Sequence, residues 1–232
     1  MGGGLMASQT PKELVDLGML SYGKQDFSKA RKYFERACGL NNSGGCGALG
    51  DLYYDGKGVE KNLIKAAQLY TKACELKEGE GCKRLWSLYY YGRGVEKNLI
   101  KATQYASKAC DLNNGSGCGA LGFLYGTGKG VEKNLIKAAY FYAKACDLNN
   151  GGGCGNLGVL YQKGEVVEKN LTKAAYLYSK ACELKDGLGC KDLGTLYYSG
   201  KGVEKNLTKA DQYISKACKL GDQEACEALK EK

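Results

Sequence analysis

Twelve cysteines fall on two interleaved series, Cys38, Cys74, Cys110, Cys146, Cys182 and Cys218, and Cys46, Cys82, Cys118, Cys154, Cys190 and Cys226, each advancing by 36 residues. The same step carries whole words: GKGVEKNLIKA recurs, and GRGVEKNLIKA lies between its two copies. Self-similarity at a period of 20 to 50 residues marks a stack of one supersecondary unit, because each unit buries its apolar face only against its neighbours. The chain is therefore read as one array rather than several domains. With 44% apolar residues and one proline it has the composition of a chain that buries a core.

Each unit reads as two helices. In the third, Cys82, Leu85, Leu88 and Tyr89 recur at helical spacing, and the run ends at Gly92, a residue free to take the left-handed closing conformation. After Arg93-Gly94-Val95-Glu96-Lys97, Asn98 is the expected N-cap of a second helix with its stripe at Leu99, Ala102, Tyr105, Ala109 and Cys110. Asn113-Asn114-Gly115, tolerant of positive φ, then turns the chain into the next unit. The first pair has a shorter internal loop and opens on the capping box Thr10-Pro11-Lys12-Glu13. The last cysteine, Cys226, opens a short charged capping helix. The expected units are 11–43, 44–79, 80–115, 116–151, 152–187 and 188–221, with a cap at 222–232. Residues 1–10 are set apart, with Leu5-Met6-Ala7 read as the remnant of a signal-peptide cleavage site behind an expression scar.

Two cysteine pairings respect the period. The long one, Cys46 with Cys74 and so on, strands Cys38 and Cys226; the short one, Cys38 with Cys46 and so on, leaves no thiol over. The short pairing joins the end of each second helix to the start of the next first helix, and closing about nine residues contributes roughly 2.5 kcal/mol per bridge. A metal site is not expected, since seven residues separate the thiols of a pair and the chain has no histidine. The Cys-x-x-Cys of a redox centre is absent. Structural disulfides place the chain in an oxidising compartment, secreted or periplasmic. No apolar run of 18 residues offers a membrane span. The net charge of +9 favours acidic partners, but it rests on lysine, with four arginines, which argues against nucleic acid.

Read across Leu121 to Cys146, the word L-G-x-L-Y-x-x-G-x-G-V-x-K-N-x-x-K-A-x-x-Y-x-x-K-A-C, with Phe141 in the place of its last tyrosine, resembles the Sel1-like repeat, a relative of the tetratricopeptide repeat. The added Cys-x7-Cys in every unit is similar to the Helicobacter cysteine-rich protein family. The resemblance implies an all-α fold, a right-handed α-solenoid of six helix-turn-helix repeats. It also implies export from a bacterium and a role in binding or host interaction, and it brings a β-lactamase or penicillin-binding label, hence β-lactams or peptidoglycan fragments as alternative ligands. Two positions depart from the pattern. Trp86 replaces the glycine found as Gly18, Gly50, Gly122, Gly158 and Gly194, and is expected to open the local spacing or swing outward. Val166 replaces the second glycine of the G-x-G loop, so that loop is expected to differ.

The columns that change from unit to unit share one face of the first helix, the face that lines the concave groove in tetratricopeptide-like arrays. From them Asp51, Tyr54, Lys83, Ser87, Tyr90, Tyr91, Phe123, Gln162, Lys163, Lys191 and Tyr198 are the candidate groove residues, suited to a protein or peptide ligand from a host or the cell envelope. Tyrosines that merely tolerate half-burial are the plainer reading of the same column. For β-lactam chemistry, S-x-x-K occurs once, as Ser21-Tyr22-Gly23-Lys24, without its companion motifs. Catalytic residues, cofactors and metals are not expected, and the chain is read as a monomer. Asn170 and Asn206 sit in Glu-x-Asn-x-Thr words that resemble bacterial glycosylation acceptors, although helix caps explain both asparagines.

Overall fold

The structure, a computed structural model, describes residues 8–231; the leader motif Leu5-Met6-Ala7 lies outside them. Among the described residues there are thirteen helices and no strand. They form six hairpins and a terminal helix: α1 (Pro11–Gly23) with α2 (Phe27–Gly39), α3 (Ser43–Asp55) with α4 (Leu63–Glu75), α5 (Gly79–Tyr91) with α6 (Leu99–Asp111), α7 (Gly115–Thr127) with α8 (Leu135–Asp147), α9 (Gly151–Lys163) with α10 (Leu171–Glu183), α11 (Gly187–Ser199) with α12 (Leu207–Lys219), then α13 (Gln223–Lys230). The chain divides into two compact units, Met1–Leu112 and Asn113–Lys232.

Local chemistry sets the helix ends. Thr10 and Glu13 form the expected capping box. Asn98 Oδ1 accepts from the Lys101 amide at 2.9 Å, and Asn62, Asn134, Asn170 and Asn206 cap their helices in the same way. Thus Asn170 and Asn206 hold the amides of Lys173 and Lys209. The first helices of hairpins two to six close on a left-handed glycine, Gly92 at φ 67° in the third. The terminal helix begins three residues before Cys226, because Asp222 caps it through the Ala225 amide at 2.8 Å.

The second loop glycine is required by a close approach as well as by its φ. A Cβ on Gly94 would stand 2.5 Å from the Leu63 carbonyl oxygen, and one on Gly58 2.6 Å from that of Phe27. The loop of one hairpin thus lies on the first residue of the preceding second helix. Val166 does not adopt positive φ, and beside it a shallow cleft of about 540 Å³ opens against Leu135 and Ile136.

In each unit the core lies between the two helices of a hairpin and between successive hairpins. In Met1–Leu112 it comprises Phe34, Leu49, Leu52, Tyr70, Leu85 and Leu88 among others. In Asn113–Lys232 it runs through Tyr142, Leu157, Leu160 and Leu177 and through Tyr178, Leu193 and Leu196. Stacked rings repeat the contact: Tyr125 on Phe141 and Tyr197 on Tyr213, both at 5.7 Å. A lysine from the first turn of the second helix, Lys137 or Lys209, lies over the first ring of each pair.

Five bridges tie the last turn of a second helix to the first turn of the next first helix: Cys38–Cys46, Cys74–Cys82, Cys146–Cys154, Cys182–Cys190 and Cys218–Cys226, with Cα separations of 4.5 to 4.7 Å. These lie inside the range a disulfide spans without backbone movement. Cys110 and Cys118 are disulfide-bonded too, and no described cysteine is free. The glycine before the second cysteine permits the approach: a Cβ on Gly45 would meet that of Ala37 at 2.6 Å.

Trp86 corrects the expectation of opened spacing. Where the other hairpins place glycine, the facing second-helix residue is large: Gly50 looks onto Tyr70, Gly122 onto Tyr142, Gly158 onto Tyr178 and Gly194 onto Ile214. The corresponding residue of the third hairpin is Ala106, fully buried. The bulk has changed helices, α5 and α6 pack as closely as the other pairs, and Trp86 is half-buried, edge-on to Tyr90 at 5.4 Å.

Candidate functional site

In unit Met1–Leu112 the candidate residues lie on α3 and α5. Trp86, Tyr90 and Tyr91 form a run of edge-to-face rings, with Tyr90 and Tyr91 4.9 Å apart. The Arg93 guanidinium lies 5.0 Å above the Tyr91 ring and donates to the Tyr54 hydroxyl at 3.3 Å, tying α3 to the end of α5. Tyr91 is 57% exposed; Tyr54, Ser87 and Tyr90 are half-buried. The result is an accessible aromatic cluster pinned by one cation.

Asp51 has an internal task. It accepts from the Tyr70 hydroxyl at 2.6 Å and ion-pairs with Arg84 Nε at 3.4 Å. Burial, and then that bond, holds the Tyr70 phenol well above its ordinary range. Lys83 pairs with Glu80 on its own helix. Asp51, Tyr70, Glu78, Glu80 and Arg84 line a 150 Å³ cavity between α3 and α5.

In unit Asn113–Lys232, Phe123 is half-buried and Lys129 stands 5.5 Å above its ring. Gln162 Oε1 accepts from the buried Tyr178 hydroxyl at 2.6 Å, the role that Asp51 has for Tyr70. Lys163 reaches Glu165 at 4.0 Å, and Lys191 pairs with Glu224 of the terminal helix. Tyr198 is 61% exposed. Of the eleven candidates, Asp51, Lys83, Gln162, Lys163, Lys191 and the Tyr54 hydroxyl thus carry intramolecular bonds, whereas Tyr90, Tyr91, Tyr198 and Phe123 present rings and Ser87 is half-buried.

Three groups were not singled out from sequence: Glu78, Arg84 and Ala106. The signal for Glu78 lies in the cap column, which reads Asn42, Glu78, Asn114, Asn150, Asp186 and Asp222. Glutamate is the one long side chain there. α5 is also the one described helix without a side-chain cap bond.

Ser21 is buried and donates to the Leu17 carbonyl at 2.9 Å. Among the described residues no cluster of three or more histidine, cysteine, aspartate or glutamate side chains could hold a metal ion. No described helix is long and apolar enough to cross a membrane.

Sequence and structure comparisons agree with this architecture. The chain is 65% identical to HcpC of Helicobacter pylori over 63 residues, and 53% identical over 62 residues to a protein of that organism named Beta-lactamase HcpA; each match covers 27% of this chain. These matches span about a quarter or less of the relatives' own length. A Sel1 repeat protein from Oxalobacter formigenes superposes with a TM-score of 0.85 at 26% identity, over 93% of this chain and 86% of that one. The Escherichia coli protein c5321, titled a protective antigen displaying an SLR fold, gives 0.82 at 28%, over 93% and 47%. Six consecutive segments, 15–42, 45–78, 82–114, 116–150, 153–186 and 188–222, match the Sel1 repeat, and by that match the chain belongs to the Sel1 repeat family.

Proposed function

We propose that the protein is an extracytoplasmic binding module that takes a protein or peptide ligand on the faces formed by the first helices of its hairpins. The carrying observation is the cluster of Tyr54, Tyr90, Tyr91 and Arg93, rings held in fixed orientation on columns that the repeat does not need for its core, with Trp86 edge-on to Tyr90 beside them. Rigid aromatic groups beside a guanidinium supply large contact area at small entropic cost, the usual make-up of interface hot spots. A chain whose cysteines are all bonded fits an oxidising compartment.

The test is selection of ligands from a displayed peptide library on oxidised protein, followed by affinity measurement with Tyr90→Ala/Tyr91→Ala and, separately, Phe123→Ala. Loss of two ring anchors is expected to weaken a selected ligand at least tenfold, about 1.4 kcal/mol. Unchanged affinity in both variants refutes the reading. The names of the Helicobacter pylori relatives support a second reading, β-lactam binding with slow hydrolysis. A chromogenic cephalosporin turned over in step with the monodisperse protein peak would establish it over the first.

A further inference from the structure

We propose that Glu78 is a proton-controlled latch between α3 and α5: protonated, its side chain fills the cleft over Gly47; ionised, it leaves and opens the cleft. The inference concerns the regulation of the face proposed above and rests on that reading only for its consequence to a ligand.

The geometry begins with side-chain length. In other hairpins the cap residue is Asn or Asp, short enough to bond its own helix: Asn150 Oδ1 takes the Gly153 amide at 2.8 Å and Asp186 Oδ2 the Gly189 amide at 3.2 Å. The extra methylene carries the Glu78 carboxyl past the Gly81 amide and onto α3. A Cβ on Gly47 would lie 2.5 Å from Glu78 Oε2, so the carboxyl occupies the space that this glycine leaves. Oε2 is sealed from solvent and has no hydrogen-bond partner.

The groups around it do not favour a charge. It shares its cavity with Asp51 from α3, Tyr70 from α4, and Glu80 and Arg84 from α5. Tyr70 already donates to Asp51, Arg84 is shared between Asp51 at 3.4 Å and Glu80 at 3.6 Å, and Lys83 is paired with Glu80. Ionised Glu78 would therefore face two carboxylates, and the Arg84 Nε between them makes no hydrogen bond to it. Burial first, then Asp51 and Glu80, raise its pKa to about 7. A buried charge without a partner relaxes by moving to water, and Glu78, the residue before α5, is only half-buried as a whole.

The test uses the full oxidised chain with ¹³C-labelled glutamate. One glutamate carboxyl is expected to titrate with a midpoint near pH 7, to vanish in Glu78→Gln, and to move the Gly47 amide resonance with the same midpoint. A Glu78 carboxyl that titrates in the ordinary carboxylate range overturns the proposal. So does a midpoint near 7 without a response at Gly47, which would mean ionisation in place. Unfolding supplies a second readout. Because the folded-state pKa lies above the unfolded value, stability is greatest below that lower value and falls as pH rises toward 7. The guanidinium midpoint of the wild type should thus drop between pH 5 and pH 8 more than that of Glu78→Gln; equal drops refute the latch. Glu78→Asn, the residue of three other hairpins, should regain the cap and lose the titration. These readouts need no ligand, so loss of the binding reading would leave them standing.

Discussion

Exchanging the bulk back across the third hairpin tests whether the packing pair, rather than either residue, is the unit of this fold. Elsewhere a ring or isoleucine on the second helix lies directly over a glycine: a Cβ on Gly50 would stand 2.7 Å from Tyr70, one on Gly122 2.7 Å from Tyr142 and one on Gly194 2.9 Å from Ile214. Both positions therefore cannot be large. Ala106→Tyr adds a ring opposite Trp86 and should cost about 1–3 kcal/mol by overpacking. Trp86→Gly removes a half-buried indole, about 3 kcal/mol at the lower end for such truncations, and adds roughly 1 kcal/mol for glycine inside a helix. If the two acted independently the double variant would lose about 5–7 kcal/mol. If the pair is the unit, Trp86→Gly/Ala106→Tyr rebuilds the arrangement of its neighbours and should return to within about 1–2 kcal/mol of the parent, a coupling of about 3 kcal/mol or more, at the upper end for neighbouring residues. Guanidinium unfolding of oxidised protein followed by far-ultraviolet circular dichroism measures all four corners, since Trp86 is the sole tryptophan and fluorescence is lost with it. Additivity within about 0.5 kcal/mol would refute the reasoning.

Removing one bridge as a pair, Cys74→Ala/Cys82→Ala, should cost roughly 2–3 kcal/mol from loop closure, read as a lower unfolding midpoint in the absence of reductant; no change would mean the helix junction is held by packing alone. Gly94→Val should cost more than about 2 kcal/mol, because it meets both positive φ and the Leu63 carbonyl. Val166→Gly should stay within about 1 kcal/mol of the parent by thermal unfolding, since that loop has already left the conformation.

The repeat made most of the fold legible. Helix ends could be placed because caps and closing glycines depend on local chemistry alone, as at Asn98 and Gly92. The groove was less legible, because variation along a column says where the scaffold is permissive and not which variants are already engaged. Asp51 and Gln162 look like changeable surface in sequence, yet each accepts the hydroxyl of a buried tyrosine from the facing helix. Position 142 has tyrosine as well, but its neighbour on α7 is Gly126, whose missing Cβ would lie 3.6 Å from that hydroxyl, and burial raises the Tyr142 pKa to about 12. No periodicity relates an acceptor on one helix to a donor 16 or 19 residues away.

Paired and unpaired departures from the repeat therefore carry different meanings. Trp86 is a departure answered by Ala106, and the two together restore the packing of every other hairpin. Glu78 is a departure that nothing answers: no side-chain acceptor replaces the lost cap, and the nearest charges on α3 and α5 include two carboxylates. In an array whose backbone repeats so closely, an uncompensated change lowers the stability of one joint while its neighbours keep theirs. Such a joint is where a small free energy, such as that of moving one proton, produces a local structural change while the bridged hairpins on either side stay fixed.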